Sequence, residues 1–192
     1  AEKNGLEPLI YCDKISKVFK DLTKKLNLSN DDFIRTTEKR HYKAVNDLWN
    51  RLVKSGDIYL SKYKGWYSVS DEAYYDSDEI VEKNGKKFST FSGSAVEWVE
   101  EDSFFFKLSS WENKLLEFYD KNEKFILPIS RRNEVINFVK SGLKDLSVSR
   151  TSFTWGIKVP NNEKHVIYVW LDALTNYLSA LNFPDTKDKL YK

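Results

Sequence analysis

The sequence predicts an α/β protein in which two mixed helix-and-strand segments flank a β-rich insertion. Three observations lead to this. In residues 9–55 apolar positions recur at three and four residues, the helical period. From Asp57 to about Leu108 the period falls to two and turn signals multiply. Val166-Ile167-Tyr168-Val169-Trp170 is apolar without alternation, the pattern of a strand covered on both faces.

The elements follow in order. Ala1-Glu2-Lys3-Asn4-Gly5 reads as the end of one helix, with Gly5 suited to the position after it and Pro8 to the first turn of the next. Ile15, Val18, Phe19, Leu22 and Leu26 form one stripe and predict a helix over 9–26. A polar break at 27–31 precedes Phe33-Ile34, read as a short strand. A second helix is predicted over 38–55, with Tyr42, Val45, Trp49, Leu52 and Val53 on one face. Thr37 is its expected N-cap, Glu38 suits its first turn and Gly56 its end. Ile58, Leu60 and Tyr67, Val69 flank the turn-like Lys62-Tyr63-Lys64-Gly65, and Asn84-Gly85 is a two-residue hairpin signal. Val96, Trp98, Phe104, Phe106 and Leu108 alternate with polar residues. Ser109-Ser110-Trp111-Glu112 has the form of a capping box, opening a helix to about Lys121. A further helix over 130–142 carries Val135, Ile136, Phe138 and Val139. After the buried strand, expected to be parallel, Asp172 is placed to cap a helix over 173–181.

Composition narrows the function classes. The chain has 192 residues, with 31 Lys+Arg against 29 Asp+Glu, which argues against binding polyanions by charge alone. Its 6 Trp, 11 Tyr and 12 Phe supply a core and argue against disorder. One cysteine, Cys12, excludes an internal disulfide and a cysteine-only zinc site. Two histidines, His41 and His165, leave little for a metal cluster and suggest no Ser/His/Asp set. No apolar run reaches the roughly 20 residues that span a bilayer. No signal peptide is recognised, so a cytoplasmic protein is expected. The chain has no methionine, and with its helix-end opening it reads either as a chain with its initiator removed and a frayed end or as a piece of a longer protein.

No glycine-rich phosphate loop occurs. The strongest local clue is Val169-Trp170-Leu171-Asp172-Ala173-Leu174-Thr175-Asn176-Tyr177. Trp170 would lie at the carboxyl end of a buried strand, where open α/β sheets bind ligands. Tyr177, seven residues on, would sit two turns along one helix face. Such an aromatic pair can wall a small apolar pocket, and the same spacing suits ordinary core packing.

Four stretches resemble the bacterial methionyl-tRNA synthetase family. They are Asp32-Phe33-Ile34-Arg35-Thr36-Thr37 with the helix after it; Gly56-Asp57-Ile58-Tyr59 with Tyr63-Lys64-Gly65-Trp66-Tyr67; Ser103-Phe104-Phe105-Phe106-Lys107-Leu108-Ser109; and Val148-Ser149-Arg150 through Trp155-Gly156 to Tyr168-Val169-Trp170-Leu171-Asp172-Ala173. The resemblance implies part of a Rossmann-like class I synthetase catalytic domain interrupted by a β-rich connective peptide. Catalytic-domain segments would occupy 1–56 and 146–192, and the insertion 57–145.

The implied reaction, for the full-length enzyme, joins L-methionine to ATP as methionyl-adenylate and then to tRNA(Met), with Mg2+. By position, Trp170 and Tyr177 resemble methionine-pocket residues, which suits the affinity of a thioether for aromatic rings. Arg150 matches a family arginine near the active site, with a surface salt bridge as the alternative. No catalytic residue is expected in this stretch. The family's His-Ile-Gly-His-like and Lys-Met-Ser-Lys-Ser-like motifs would lie outside it, so that it is inactive alone. Ser68 and Asp71 stand where many relatives have zinc-binding cysteines, so no zinc is expected. No protein partner is expected. The alternative is a stand-alone RNA-binding module in which Trp66 and Tyr67 stack bases while Lys62, Lys64, Lys86 and Lys87 contact phosphates.

Overall fold

In the computed structural model, residues 1–71, 73–185 and 187–191 are described. After a 3-10 turn at Glu2–Asn4, closed by Gly5, helix α1 spans Pro8–Lys25 with Pro8 in its first turn. Residues 32–35 are irregular, so the strand expected at Phe33-Ile34 is not formed. Arg40 pairs with Asp32 at 2.6 Å and with Glu38, tying this segment to the next helix instead. Helix α2 spans Lys39–Ser55. Its first bond runs from the Tyr42 N–H to the Glu38 carbonyl, so Glu38 precedes the first turn and does not lie in it. Gly56 ends it as expected.

Strand β1 is Ile58–Ser68, β2 Ala73–Tyr75, β3 Ile80–Lys83, β4 Lys86–Ser89 and β5 Glu97–Phe106. Helices α3, Glu112–Lys121, and α4, Ile129–Lys140, follow. Next come β6 Leu146–Ser147, β7 Ser149–Arg150, β8 Lys158–Val159 and β9 Asn162–Ile167. The chain ends in short helical turns: α5 Val169–Asp172, a 3-10 turn Ala173–Thr175, α6 Asn176–Ser179, and a last 3-10 turn Lys189–Tyr191.

The chain forms two compact units, one of residues 1–48 with 169–192, the other of residues 49–168. In the second, a four-stranded sheet has the order β2-β1-β5-β6. β1 and β5 pair antiparallel from Ile58↔Phe106 to Tyr67↔Glu97. β1 runs unbroken through Lys62–Gly65, where a turn was expected. A turn there would forfeit ladder bonds that β5 supplies on both sides of it. Trp66 and Trp98 sit opposite each other, their rings edge-to-face at 5.2 Å. The Asn84-Gly85 hairpin forms as expected between β3 and β4, with φ of 53° and 73° at the turn, the left-handed pair that a two-residue turn needs.

The capping box expected at Ser109–Glu112 does not form. Ser109 Oγ donates to Asp145, and the Glu112 carboxylate accepts the Leu143 N–H at 3.1 Å. Both side chains thus fasten the 143–145 segment, and Trp111 takes the N-cap with no side-chain bond. A capping box occurs instead at Asp76 and Glu79.

β9 is the middle strand of a second sheet, β7-β9-β8, and is buried at Val166 and Ile167. Both neighbours run antiparallel to it, so the parallel strand expected here is corrected. Val148, Ile157, Val159 and Tyr168 complete this core. Gly156 is indispensable at φ +128°, since a Cβ there would lie 2.5 Å from Val166 Cγ1.

Ser68 and Asp71 lie in a hydrogen-bonded knot. The Asp71 carboxylate accepts from Ser92 Oγ, from Ser94 Oγ at 2.7 Å and from Tyr75 Oη at 2.8 Å, while its N–H reaches Ser68 Oγ at 3.3 Å. These donors, Ser92 first, hold its carboxyl down at about 2. A carboxyl lowered by folding stabilises above its ordinary value of 3.8, and the contribution disappears as pH falls through about 2. Asp71→Asn is therefore expected to loosen the insertion near neutral pH and to flatten this part of its acid transition. Tryptophan fluorescence against pH reads both, and coincident acid profiles of the two proteins would contradict the assignment. Among the described residues, no three His, Cys, Asp or Glu cluster as a metal site, and no helix is long and apolar enough to cross a membrane.

Candidate functional site

The part of α2 in the first unit, residues 39–48, and the 169–179 segment build the site. The buried face of α2 there is His41, Ala44 and Val45, a helical i, i+3, i+4 set. Tyr42, expected on that face, points outward. His41 is 0% exposed and both ring nitrogens are bonded. Nε2 lies 2.7 Å from Asp172 Oδ1 and Nδ1 lies 2.9 Å from Ser179 Oγ. A carboxylate only accepts, so Nε2 carries a proton. Ser179 Oγ also reaches the Asn176 carbonyl at 3.3 Å. The ring thus bridges Asp172 and Ser179, one through each nitrogen.

The structure thus brings together a Ser/His/Asp set that the sequence did not suggest. Its order matches the geometry that activates a nucleophile. Ser179, however, is 0% exposed, so no substrate reaches its hydroxyl and the set holds the fold. Asp172 is engaged by His41 and makes no side-chain cap, which corrects the role expected for it. The single helix expected over 173–181 is likewise replaced by α5, a 3-10 turn and α6. Thr175 Oγ1 donates to the Leu171 carbonyl at 2.6 Å, a competing back-bond that disturbs a regular α-helix.

The segment is amphipathic in an unusual sense. Its inner residues are polar: Asp172, Thr175 and Ser179. Trp170, Leu174, Tyr177 and Leu181, spaced four, three and four apart, are exposed. Trp170 belongs to α5 and not to the strand end, and it is 52% exposed; Tyr177 is 77% exposed. Neither packs in the core of this chain. An apolar, aromatic outer face over a polar inner one fits contact with a ligand or with further protein.

Arg150 lies in the second unit and is 2% exposed; its Nε lies 4.0 Å from Glu101 Oε1, so the ion pair expected at the surface is buried. Its guanidinium stacks 3.7 Å from the Tyr168 ring centre and 4.7 Å from that of Tyr74. Nη1 donates to Ser147 Oγ at 2.5 Å and to the Ser149 carbonyl at 2.8 Å. Burial pushes the neighbouring Tyr74 phenol up, and its hydroxyl donates to Glu101 at 2.8 Å. Arg150 is thus built into the β6–β7 junction.

The residues offered for RNA stacking are occupied. Tyr67 is buried, Trp66 packs on Trp98 with Lys87 Nζ 4.1 Å above its ring, and Lys64 pairs with Glu100 at 2.9 Å.

The family model described as tRNA synthetases class I (M) matches residues 1–87 and 84–192. The chain belongs to the class I tRNA synthetases (M). This synthetase chain is 59% identical, over 192 residues, to a methionine–tRNA ligase of Rickettsia typhi, covering 100% of this chain and 37% of that protein. It is 54% identical over 190 residues to the methionine–tRNA ligase of Brucella suis, covering 98% of this chain and 37% of that one. Among solved structures it aligns with Mycobacterium tuberculosis methionyl-tRNA synthetase in complex with methionyl-adenylate. The TM-score is 0.90 and the identity 47%, with 100% of this chain and 38% of that one covered. The synthetase chain thus spans a little over a third of the length of these relatives. Membership overturns the stand-alone RNA-binding module.

Proposed function

We propose that this chain is part of a methionine–tRNA ligase. The full-length protein joins L-methionine to ATP, giving methionyl-adenylate and pyrophosphate, and then passes the methionyl group to the 3′ end of tRNA(Met), releasing AMP. The observation that carries this is the whole-chain likeness, at 47% identity and a TM-score of 0.90, to an enzyme holding methionyl-adenylate. Residues 1–56 and 146–192 are read as catalytic-domain segments and 57–145 as the connective peptide.

Trp170 and Tyr177 would contribute walls of the methionine pocket. Their exposed rings suit a polarizable thioether, and the Tyr177 hydroxyl can donate weakly to sulfur. Arg150 enters as a buried support of its strand and not as a group touching substrate. ATP binds as substrate with Mg2+ in the full-length ligase; the described residues fit no metal, so no step runs through one here. A cytoplasmic setting accords with the reaction.

The test is methionine-dependent exchange of labelled pyrophosphate into ATP by the full-length protein. Exchange that requires methionine is expected. Exchange driven by a different amino acid, or none with methionine, would overturn the reading.

A further inference from the structure

We propose that His41 is a positioning residue for the methionine pocket, acting through Asp172 and Ser179 on Trp170 and Tyr177. The inference rests on the pocket reading above. Residues 169–179 consist of one four-residue helical turn, a 3-10 turn and another four-residue turn. Helical pieces this short have no stability of their own, so their path is imposed by side chains. The outer aromatics are exposed and supply no such restraint. The inner side supplies it, and His41 is its centre.

Each anchor lies close to one pocket residue. Asp172 lies two residues after Trp170, and Ser179 two residues after Tyr177. One imidazole, 0% exposed, holds both anchors at 2.7 and 2.9 Å from opposite ring nitrogens. The ring is rigid, so it fixes the separation of the anchors and with it the spacing of the two aromatic walls. Its own position is set by the packed face of α2 that includes Ala44 and Val45. No other natural side chain offers two hydrogen-bonding nitrogens in one planar ring of this size. Losing it leaves both aromatics in place but lets the walls drift, and such a drift penalises binding of the amino acid far more than binding of the nucleotide.

The experiment measures KM for methionine and for ATP in pyrophosphate exchange by the full-length protein and its variants. His41→Ala and Asp172→Ala are expected to raise the methionine KM about tenfold or more while the ATP KM moves by less than about twofold. Asp172→Asn keeps an amide oxygen that accepts from Nε2–H, and is expected to recover the methionine KM to within about threefold of wild type. The Asp172 side chain is 19% exposed, so this pair of variants decides the matter even if His41→Ala does not fold. An unchanged methionine KM in Asp172→Ala overturns the clamp. So does a failure of Asn to restore it, or a parallel rise in both KM values. Trp170→Ala separates the two levels. If it leaves the methionine KM unchanged, the pocket reading itself fails. If it raises that KM while Asp172→Ala does not, the clamp fails alone.

Discussion

Trp170→Ala in the full-length protein is expected to raise the methionine KM by about 30-fold, roughly 2 kcal/mol of lost binding. The indole is the largest side chain on the outer face of the 169–181 segment. Where a thioether packs on it, truncation removes both the ring–sulfur attraction and the apolar area that excludes water. Because Trp170 is half-exposed, the same substitution is expected to cost the fold no more than about 0.5 kcal/mol. A large change in binding with a small change in melting is therefore the expected pair of results. Tyr177→Phe keeps the ring and removes only a weak donor, so its effect is expected to be smaller, about two- to threefold. An unchanged methionine KM in Trp170→Ala sinks the pocket assignment.

Arg150→Ala is expected to destabilise the second unit by about 3 kcal/mol, measured by urea unfolding. The alanine abandons two hydrogen bonds, to Ser147 and to the Ser149 carbonyl, and two ring contacts, with Tyr168 and Tyr74. The Ser149 carbonyl and Ser147 Oγ keep Ser103 Oγ as a partner, so the loss is that of the guanidinium's own bonds and ring contacts. Arg150→Lys is expected to recover less than half of the loss. An ammonium is a point donor and lacks the planar face that lies on Tyr168. Lysine behaving as wild type would show that charge alone matters at this position.

Much of the helical framework was legible because its signals are local. The stripe from Ile15 to Leu26 marked α1, and Pro8 and Gly56 marked two helix ends. Asn84-Gly85 announced its hairpin for the same reason. What failed needed knowledge of a distant partner. Lys62–Gly65 looks like a turn until β5 lies alongside. The unalternating run at 166–170 marks a covered strand only over Val166 and Ile167, and it does not say in which direction the neighbouring strands run, which is antiparallel. Ser109 and Glu112 have the spacing of a capping box, yet stronger demands from Asp145 and Leu143 take them.

The site divides in the same way. Trp170 and Tyr177 stand out through the family resemblance, and both lie exposed in this chain. His41 was passed over as one of two isolated histidines. Its place beside Ala44 and Val45 on the inward face of α2 was the available sign, but the partners that give it meaning are 131 and 138 residues away.

That separation has a bearing on synthesis. The second unit is one continuous stretch, residues 49–168, while the first is assembled from the two sides of it. At about 5–20 residues per second, Asp172 is made roughly 7–26 s after His41. The continuous unit is synthesised during that interval and leaves the ribosome ahead of Asp172, free to fold as it does so. Closing the His41 loop over a stretch already folded also costs less chain entropy than closing it over a disordered one. The timing places the two jaws of the clamp last in the order of assembly, and it leaves the α2 side waiting, with an imidazole meant for burial still facing water, until its late-made partner arrives.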